Sequence, residues 1–443
     1  MKKQILVLGG GFAGLWSAVG AARKVAEQKA EGEVEITLVE RTTYHNIRVR
    51  NYEADLSDVC VPLCDVLPPI GVGVVHGEAI RIDTAGHRIL VRGEGVRELA
   101  YDRLVIALGS ELVRPPIPGL AENAFDVDTY AAAARLARHI DLLGSRAPAP
   151  GQFTAVVIGA GLTGLETATE LPQRLRRVRE HSKSSEPIRV IVADRLPHVG
   201  SDMGDSARPF IEEALSSLGI ERRTGVGIAG VEANGVTLDG GEKIDAATVI
   251  WCGGMRANPL TQTLPGTRDR FGRLAVDEFM RVIGVPDVFA AGDAACAQVD
   301  RDHASVMSCQ HGRPMGRFAG HNVAADLLDE PMLPLRIDWY TTILDLGPWG
   351  AVYTTGWDRQ VIASGAAAKA TKQTINCRRI YPPRNKRAED ILAAAAPVIQ
   401  APPEVAAKGV SRSGVSVPST ADSTSSVASI SGGRSKPPST AAF

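Results

Sequence analysis

At 443 residues the chain is long enough for two or three domains with full cores, and 44% apolar with 22% charged content excludes a fibrous or wholly disordered protein. Its 49 basic and 50 acidic side chains leave a formal net charge of −1, which excludes bulk attraction to nucleic acid, and no apolar run reaches the length of a spanning helix. Six cysteines in a chain of this size make no disulfide scaffold, so a reducing cytoplasm is the expected compartment.

Residues 4–8 (QILVL) read as a buried parallel strand and residues 15–19 begin a helix, with GGGFAG at 9–14 between them. The glycines that follow the charged start argue against a targeting segment. Gly9 permits the tight turn, Gly11 lets the backbone approach a pyrophosphate, and Gly14 allows the helix to pack on the strand. The helix N-terminus offers free N–H groups and positive dipole potential to phosphates. The next strand, 34–39, ends at Glu40, whose carboxylate can accept hydrogen bonds from an adenosine ribose. Strand, glycines, helix, strand and acid in that order form a specific dinucleotide signal, where glycines alone would not.

Cys60 and Cys64 follow at C-x-x-x-C spacing, which on a helix would share one face. The spacing is neither C-x-x-C nor a zinc framework, and no metal is expected. Short strand-like pieces at 72–77, 80–83 and 87–91 predict a hairpin-rich insert. Residues 104–108, ended by Gly109, then re-enter the first sheet, and Pro115, Pro116, Pro118 and Gly119 mark an extended crossing. After Asp128 a helical pattern brings Leu136, Ile140 and Leu143 together and stops at Gly144.

The first order then repeats: strand 154–158, GAGLTG with Gly159, Gly161 and Gly164, a helix, strand 188–193, and Asp194. Two dinucleotides held by one chain suggest electron transfer between them. Asp194 would repel a 2′-phosphate and favour NADH over NADPH, with Arg195 offsetting part of that repulsion. Strand 249–252 meets Gly253, and residues 288–291 return to the first domain at Gly292-Asp293. A carboxylate there can fix the ribitol hydroxyls of a flavin. Residues 339–382 hold three of the five tryptophans. They read as a small sheet with an aromatic core, or as a surface for a partner, a dimer mate or a membrane. The stretch 401–443, rich in Ser, Pro, Thr and Ala, predicts disorder.

Taken together, GGGFAG with Glu40 and Arg41, the strand ending at Gly109, GAGLTG with Glu166, and AAGDAA at 290–295 resemble the FAD-dependent pyridine nucleotide-disulfide oxidoreductase family. Within it, ERTTYH at 40–45, WCGG at 251–254 and SCQHG at 308–312 resemble the type II NADH dehydrogenases, which pass electrons from NADH through FAD to a quinone. The resemblance implies an α/β fold of two Rossmann-like dinucleotide-binding domains, the NADH domain inserted in the FAD domain. The implied bounds are 1–118 and 268–330 for FAD, 151–267 for NAD(P)H, 331–400 for a C-terminal interface segment and 401–443 for a disordered tail.

By that resemblance Glu166 positions the hydride donor, with Glu170 one turn on. Gln310 and His311 line an acceptor pocket, where His311 supplies a proton as a quinone is reduced. Two departures stand out. The branch commonly ends in amphipathic anchoring helices, whereas here Arg378, Arg379, Arg384, Lys386 and Arg387 are interleaved with Pro382-Pro383. It also tends to pair glutamines near the flavin, whereas here Gln310 is followed by His311. The expected activity is hydride transfer from NADH to FAD and electron transfer to a quinone or similar small acceptor. It would take place in the cytoplasm, with room for peripheral contact on the inner face of the cell membrane and for a homodimer. Two alternatives stand beside it: a thiol/disulfide or ferredoxin-type reductase of the same family, and a nucleotide-sensing flavoprotein resembling apoptosis-inducing factor. The first normally needs a redox cysteine pair soon after the first acid, in a glycine-rich context that Cys60 and Cys64 lack.

Overall fold

Five parallel strands form the first sheet, in the order Val288–Ala290, Arg103–Ile106, Lys3–Leu8, Val34–Glu40 and Gly73–His76. The computed structural model describes residues 2–182 and 184–405. Ile5, Val7 and Leu8 on the central strand are fully buried, as a strand covered on both faces requires. Its neighbours lie on opposite sides, so the chain reverses direction around it, and the crevice at the carboxyl ends is where such sheets bind ligands. The last strand joins this sheet only after the second nucleotide-binding unit, with Ala290 opposite Ile106. That return sets Gly292-Asp293 at the same sheet end as Gly9.

The second sheet runs Ile220–Thr224, Arg189–Asp194, Thr154–Ile158 and Thr248–Trp251, again all parallel. The helix Leu162–Glu180 follows its central strand as Phe12–Glu27 follows the first. Between the units, helix Tyr130–Leu142 starts where the Thr129 hydroxyl accepts from the Ala132 N–H, and it buries Leu136 and Ile140 as the spacing predicts.

One local expectation holds in part, and the helix that would have given the two cysteines a shared face does not form. The hairpin insert is the antiparallel sheet Glu78–Asp83, Arg88–Arg92 and Val96–Ala100, while Gly73–His76 leaves it to become the edge strand of the first sheet. Alternation marks a strand but not its partner. Cys60 lies in the strand Cys60–Pro62 and Cys64 in the short 3-10 turn Leu63–Asp65, so they share no helix face. Pro62 between them lacks an N–H to donate and disfavours a continuous helix there.

The helix Cys309–Leu327 lies beside Phe12–Glu27 and runs in the same direction. A Cβ at Gly316 would strike the Ala13 carbonyl, and one at Gly320 the Ser17 carbonyl. This close approach brings the start of the later helix to the start of the first. The C-terminal segment is an antiparallel sheet of Thr341–Asp345, Ala351–Thr355 and Gln360–Ser364, then helix Gly365–Thr374, a π-turn Ile375–Arg379 and helix Ala388–Ala394. It joins both cores: Leu344, Leu346 and Val352 pack into that of the second unit, and Ile380 and Ile391 into that of the first. The first residues of the stretch expected to be disordered are held instead, because Tyr353 Oη donates to the Pro403 carbonyl at 2.5 Å and Arg379 to that of Ala401. Its remainder, 406–443, lies outside the described residues. No helix among the described residues is long and apolar enough to cross a membrane.

Candidate active site

Gly9 and Gly159 open the two glycine loops with φ of +99° and +106°, a region that side chains rarely adopt. In each loop the third glycine sits against the first, and a Cβ at Gly14 or Gly164 would strike the carbonyl oxygen of Gly9 or Gly159. The acids that close the two motifs are pinned alike. Glu40 Oε2 accepts from the Gly10 N–H at 2.5 Å and Oε1 from the Thr42 N–H at 3.0 Å. Asp194 Oδ2 accepts from the Ala160 N–H at 2.5 Å and Oδ1 from the Leu196 N–H at 2.7 Å. Each carboxylate is thereby fixed beside its own glycine loop.

Around the first loop lies a cavity of about 850 Å³, which Gly9, Gly11, Glu40, Arg41, Gly109, Gly292 and Asp293 all line. Beyond Gly11, a Cβ would meet open space. Asp293 is held by the Ser110 hydroxyl at 2.6 Å, and Arg48 donates to that same hydroxyl at 3.0 Å. The residues fit FAD: an open cradle at a helix N-terminus for the pyrophosphate, Glu40 for the adenosine ribose, and Asp293 for the ribitol.

The second loop stands apart from this cavity. Gly159, Gly161, Gly164, Asp194 and Gly253 do not line it, whereas Leu162, Thr163 and Glu166 on the following helix do. A Cβ at Gly253 would lie 2.6 Å from the Trp251 ring, whose Nε1 donates to the Val113 carbonyl. One helix thus links the second nucleotide loop to the flavin-sized space.

Glu166 is 7% exposed, and its Oε1 accepts from Lys372 Nζ at 2.7 Å and from the Asp345 N–H at 3.2 Å. Burial raises the Glu166 pKa against the lowering effect of the ammonium. For Lys372, burial works downward, but Glu166 and Asp345 outweigh it and the net shift is upward. Asp345 in turn accepts from Tyr52 Oη at 3.0 Å and from Lys369 Nζ at 2.5 Å. Sequence reasoning missed these partners. A lysine-bearing helix 206 residues away carries no local motif, and only the i, i+3 spacing of Lys369 and Lys372 hinted at a shared face. Glu170 does not line the cavity.

Gln310 and His311 part company. Ser308 caps the helix by accepting from the His311 N–H, which turns Gln310 into the cavity wall. Its Oε1 accepts from the Thr341 hydroxyl at 3.3 Å, and its Nε2 is buried without a hydrogen-bond partner among the described residues. His311 is instead fully buried off the cavity, with Nδ1 accepting from the Val306 N–H at 2.8 Å. Burial lowers its pKa to about 4, so the ring is neutral with its proton on Nε2. The expectation that His311 lines the pocket and supplies a proton there is corrected by this position.

All six cysteines are free. Burial pushes the thiol pKa of Cys60 up to about 11 and that of Cys252 up to about 12, the reverse of a reactive thiolate.

The pyridine nucleotide-disulphide oxidoreductase family model matches residues 3–316. An NADH dehydrogenase-like protein of Mycobacterium tuberculosis is 55% identical over 401 residues, 90% of this chain and 100% of that protein. A type II NADH:quinone oxidoreductase of Staphylococcus saprophyticus is 25% identical, over 86% of this chain and 96% of its own. Among solved structures, NDH2 from Plasmodium falciparum in complex with NADH superposes with a TM-score of 0.71 at 13% identity, covering 90% of this chain and 100% of that one. That likeness is one of fold. The chain therefore belongs to the pyridine nucleotide-disulphide oxidoreductase family, as an NADH dehydrogenase-like oxidoreductase whose cofactors are FAD and NADH.

Proposed function

We propose that the chain oxidises NADH and delivers the electrons through FAD to a quinone-type acceptor, in the overall reaction NADH + H⁺ + quinone → NAD⁺ + quinol. The observation that carries this reading is one continuous cavity whose wall includes Glu166 from the second nucleotide unit, Asp293 from the first sheet, and Gln310 with Thr341 on the side of the C-terminal segment. Donor and acceptor can thus approach one cofactor site from different elements. Bound FAD supplies a centre that takes up a hydride and releases two electrons.

The chain's own groups do the positioning. The described hydrogen bonds of the Glu166 carboxylate fall on Oε1, which leaves Oε2 to accept from the carboxamide of a nicotinamide. Lys372 and the Asp345 N–H fix that carboxylate so that little ordering remains when NADH arrives. Gln310 Nε2, unpartnered and buried, is a donor for a quinone carbonyl oxygen. A thiol or persulfide reaction is disfavoured, because Cys60 and Cys64 lie outside the cavity wall and the two cysteines within it, Cys252 and Cys309, both have thiol pKa values raised by burial.

The test is anaerobic and needs only the purified flavoprotein. NADH is expected to bleach the visible flavin absorption, and a soluble quinone added afterwards to restore it. Bleaching without reoxidation by any quinone would remove the acceptor half of this reading, and no bleaching would remove all of it.

A further inference from the structure

On the helix Cys309–Leu327, Gln310, Arg313 and Arg317 fall at i, i+3 and i+7, which forms one stripe along the helix, and all three line the cavity. Arg313 and Arg317 are 7% and 3% exposed. Their guanidinium groups stand over the Trp16 ring, 5.4 and 4.5 Å from its centroid. The Nε of each is buried without a hydrogen-bond partner, and neither arginine has an ion pair among the described residues. Arg379, on the turn Ile375–Arg379, lines the same cavity and donates to the Ala401 carbonyl. Apolar side chains of Ile375, Ile380 and Ile399 complete this lobe.

Two buried guanidinium groups beside a third, with no carboxylate among them, are costly in a low-dielectric wall, and the Trp16 face offsets only part of that cost. Burial first, and then the charge of neighbouring guanidinium groups, lowers the pKa of both: Arg317 and Arg379 act on Arg313, and Arg379 acts on Arg317, as expected of cations that lack a counter-ion. Elsewhere in this chain arginines pair readily, as Arg50 does with Glu53 and Arg273 with Asp269. The FAD pyrophosphate has its own cradle at Gly9 to Gly11 on the neighbouring helix. The free positive charge therefore belongs to the acceptor side of the cavity.

We propose that the electron acceptor is an anionic quinone, whose acidic group sits among Arg313, Arg317 and Arg379 while its redox ring lies at Gln310. The inference rests on the quinone reading above and specifies its substrate class. Three to seven residues at the helical rise separate Gln310 from the two arginines, so ring and acid stand about 5–10 Å apart. The acid is a handle and takes no part in the two-electron reduction. Guanidinium recognition in an apolar lobe suits a carboxylate, which can accept two N–H bonds from one arginine.

The experiment compares 2-methyl-1,4-naphthoquinone bearing a propionate arm at C3 with its methyl ester, using the purified holoenzyme. The kcat/KM for the acid is expected to exceed that for the ester by about tenfold or more, the effect of one to two charge-assisted hydrogen bonds. R313Q and R317Q should erase the preference, and R317K should retain part of it. Equal kcat/KM for acid and ester in the wild type, or a preference that survives R313Q and R317Q, would overturn the proposal. Loss of flavin from R317Q with acid preference unchanged would also overturn it, because the arginine would then serve FAD. If the buried variants do not fold, the half-buried R379Q must weaken the preference, and no change there counts against the site.

Binding to the oxidised enzyme, followed by perturbation of the flavin spectrum, separates this proposal from the quinone reading. Should neither compound reoxidise the NADH-bleached enzyme while the acid binds at least tenfold more tightly than the ester, the anion site stands and quinone reduction falls. No difference in binding refutes the anion site whatever the turnover.

Discussion

Lys372 Nζ lies 2.7 Å from Glu166 Oε1 and 2.8 Å from the Ile343 carbonyl, so the C-terminal helix reaches into the first turns of the second nucleotide-binding helix. Both partners are nearly out of solvent, with side-chain exposures of 12% and 9%. A buried ion pair of this kind is weak evidence of stability, but removing one partner leaves an unpaired charge. The pair joins the segment after residue 331 to the site.

Lys372→Met is therefore expected to destabilise the protein by about 3–5 kcal/mol and to lower kcat/KM for NADH at least tenfold. The pH dependence follows from the carboxyl. Glu166 already has a raised folded pKa, and loss of the ammonium that lowers it raises it further. A raised folded pKa gives stability that is present below the unfolded value and lost as pH rises through the folded one. The Lys372→Met variant should thus recover part of its stability in acid. Denaturant unfolding at several pH values checks this, and adding Glu166→Gln to Lys372→Met should restore part of the loss at neutral pH.

Both nucleotide loops, their acids and the returning Gly292-Asp293 strand were legible because each is local: a turn that needs glycine, an apolar strand, an acid at the strand end. The return at 288–293 and the family resemblance also gave the inserted order of the two units, and strand Val288–Ala290 does join the first sheet. What escaped was set by tertiary distance. Lys372, Asp345 and Tyr52 come from segments that carry no signature, and nothing in the sequence marks Arg313 and Arg317, whose burial without an ion pair only the structure shows. His311 departs from its expected place for a local reason. The resemblance placed both Gln310 and His311 in one pocket, but neighbouring helix residues point about 100° apart, and the cap at Ser308 decides which one faces the cavity.

The position of His311 gives a pH prediction of its own. Its folded pKa, lowered to about 4 by burial, lies below the ordinary value of 6.5. The unfolded chain therefore binds more protons between those two values, and stability falls as pH drops from about 6.5 to 4, by about 3 kcal/mol for this residue. His311→Asn keeps an acceptor for the Val306 N–H and cannot titrate. Its stability should fall less steeply between pH 7 and 4.5 than that of the wild type. Its kcat with a soluble quinone should show no altered pH profile between pH 6 and 8.

Asp194 bears on the choice of nucleotide. Its carboxylate is fixed by the N–H groups of Ala160 and Leu196, so it cannot swing away from a 2′-phosphate, and the Arg195 side chain is exposed beside it. The ratio of kcat/KM for NADH to that for NADPH is expected to be about ten or more, and Asp194→Asn should reduce it by relieving the repulsion. A ratio below one in the wild type would show that Arg195 dominates.

Gly316→Ala tests whether the contact between the two parallel helices sets the acceptor side of the site. The added Cβ would strike the Ala13 carbonyl, a backbone atom that cannot rotate aside, so the helices must separate. Overpacking of this kind costs about 1–3 kcal/mol. Because Ala13 follows the Gly9–Gly11 cradle and Gln310 lies on the displaced helix, the variant should lose flavin more readily and raise KM for a quinone. KM for NADH should change little, since Glu166 and its partners lie on other elements. Wild-type flavin retention with an unchanged quinone KM would mean that the helices accommodate the methyl group without moving the site.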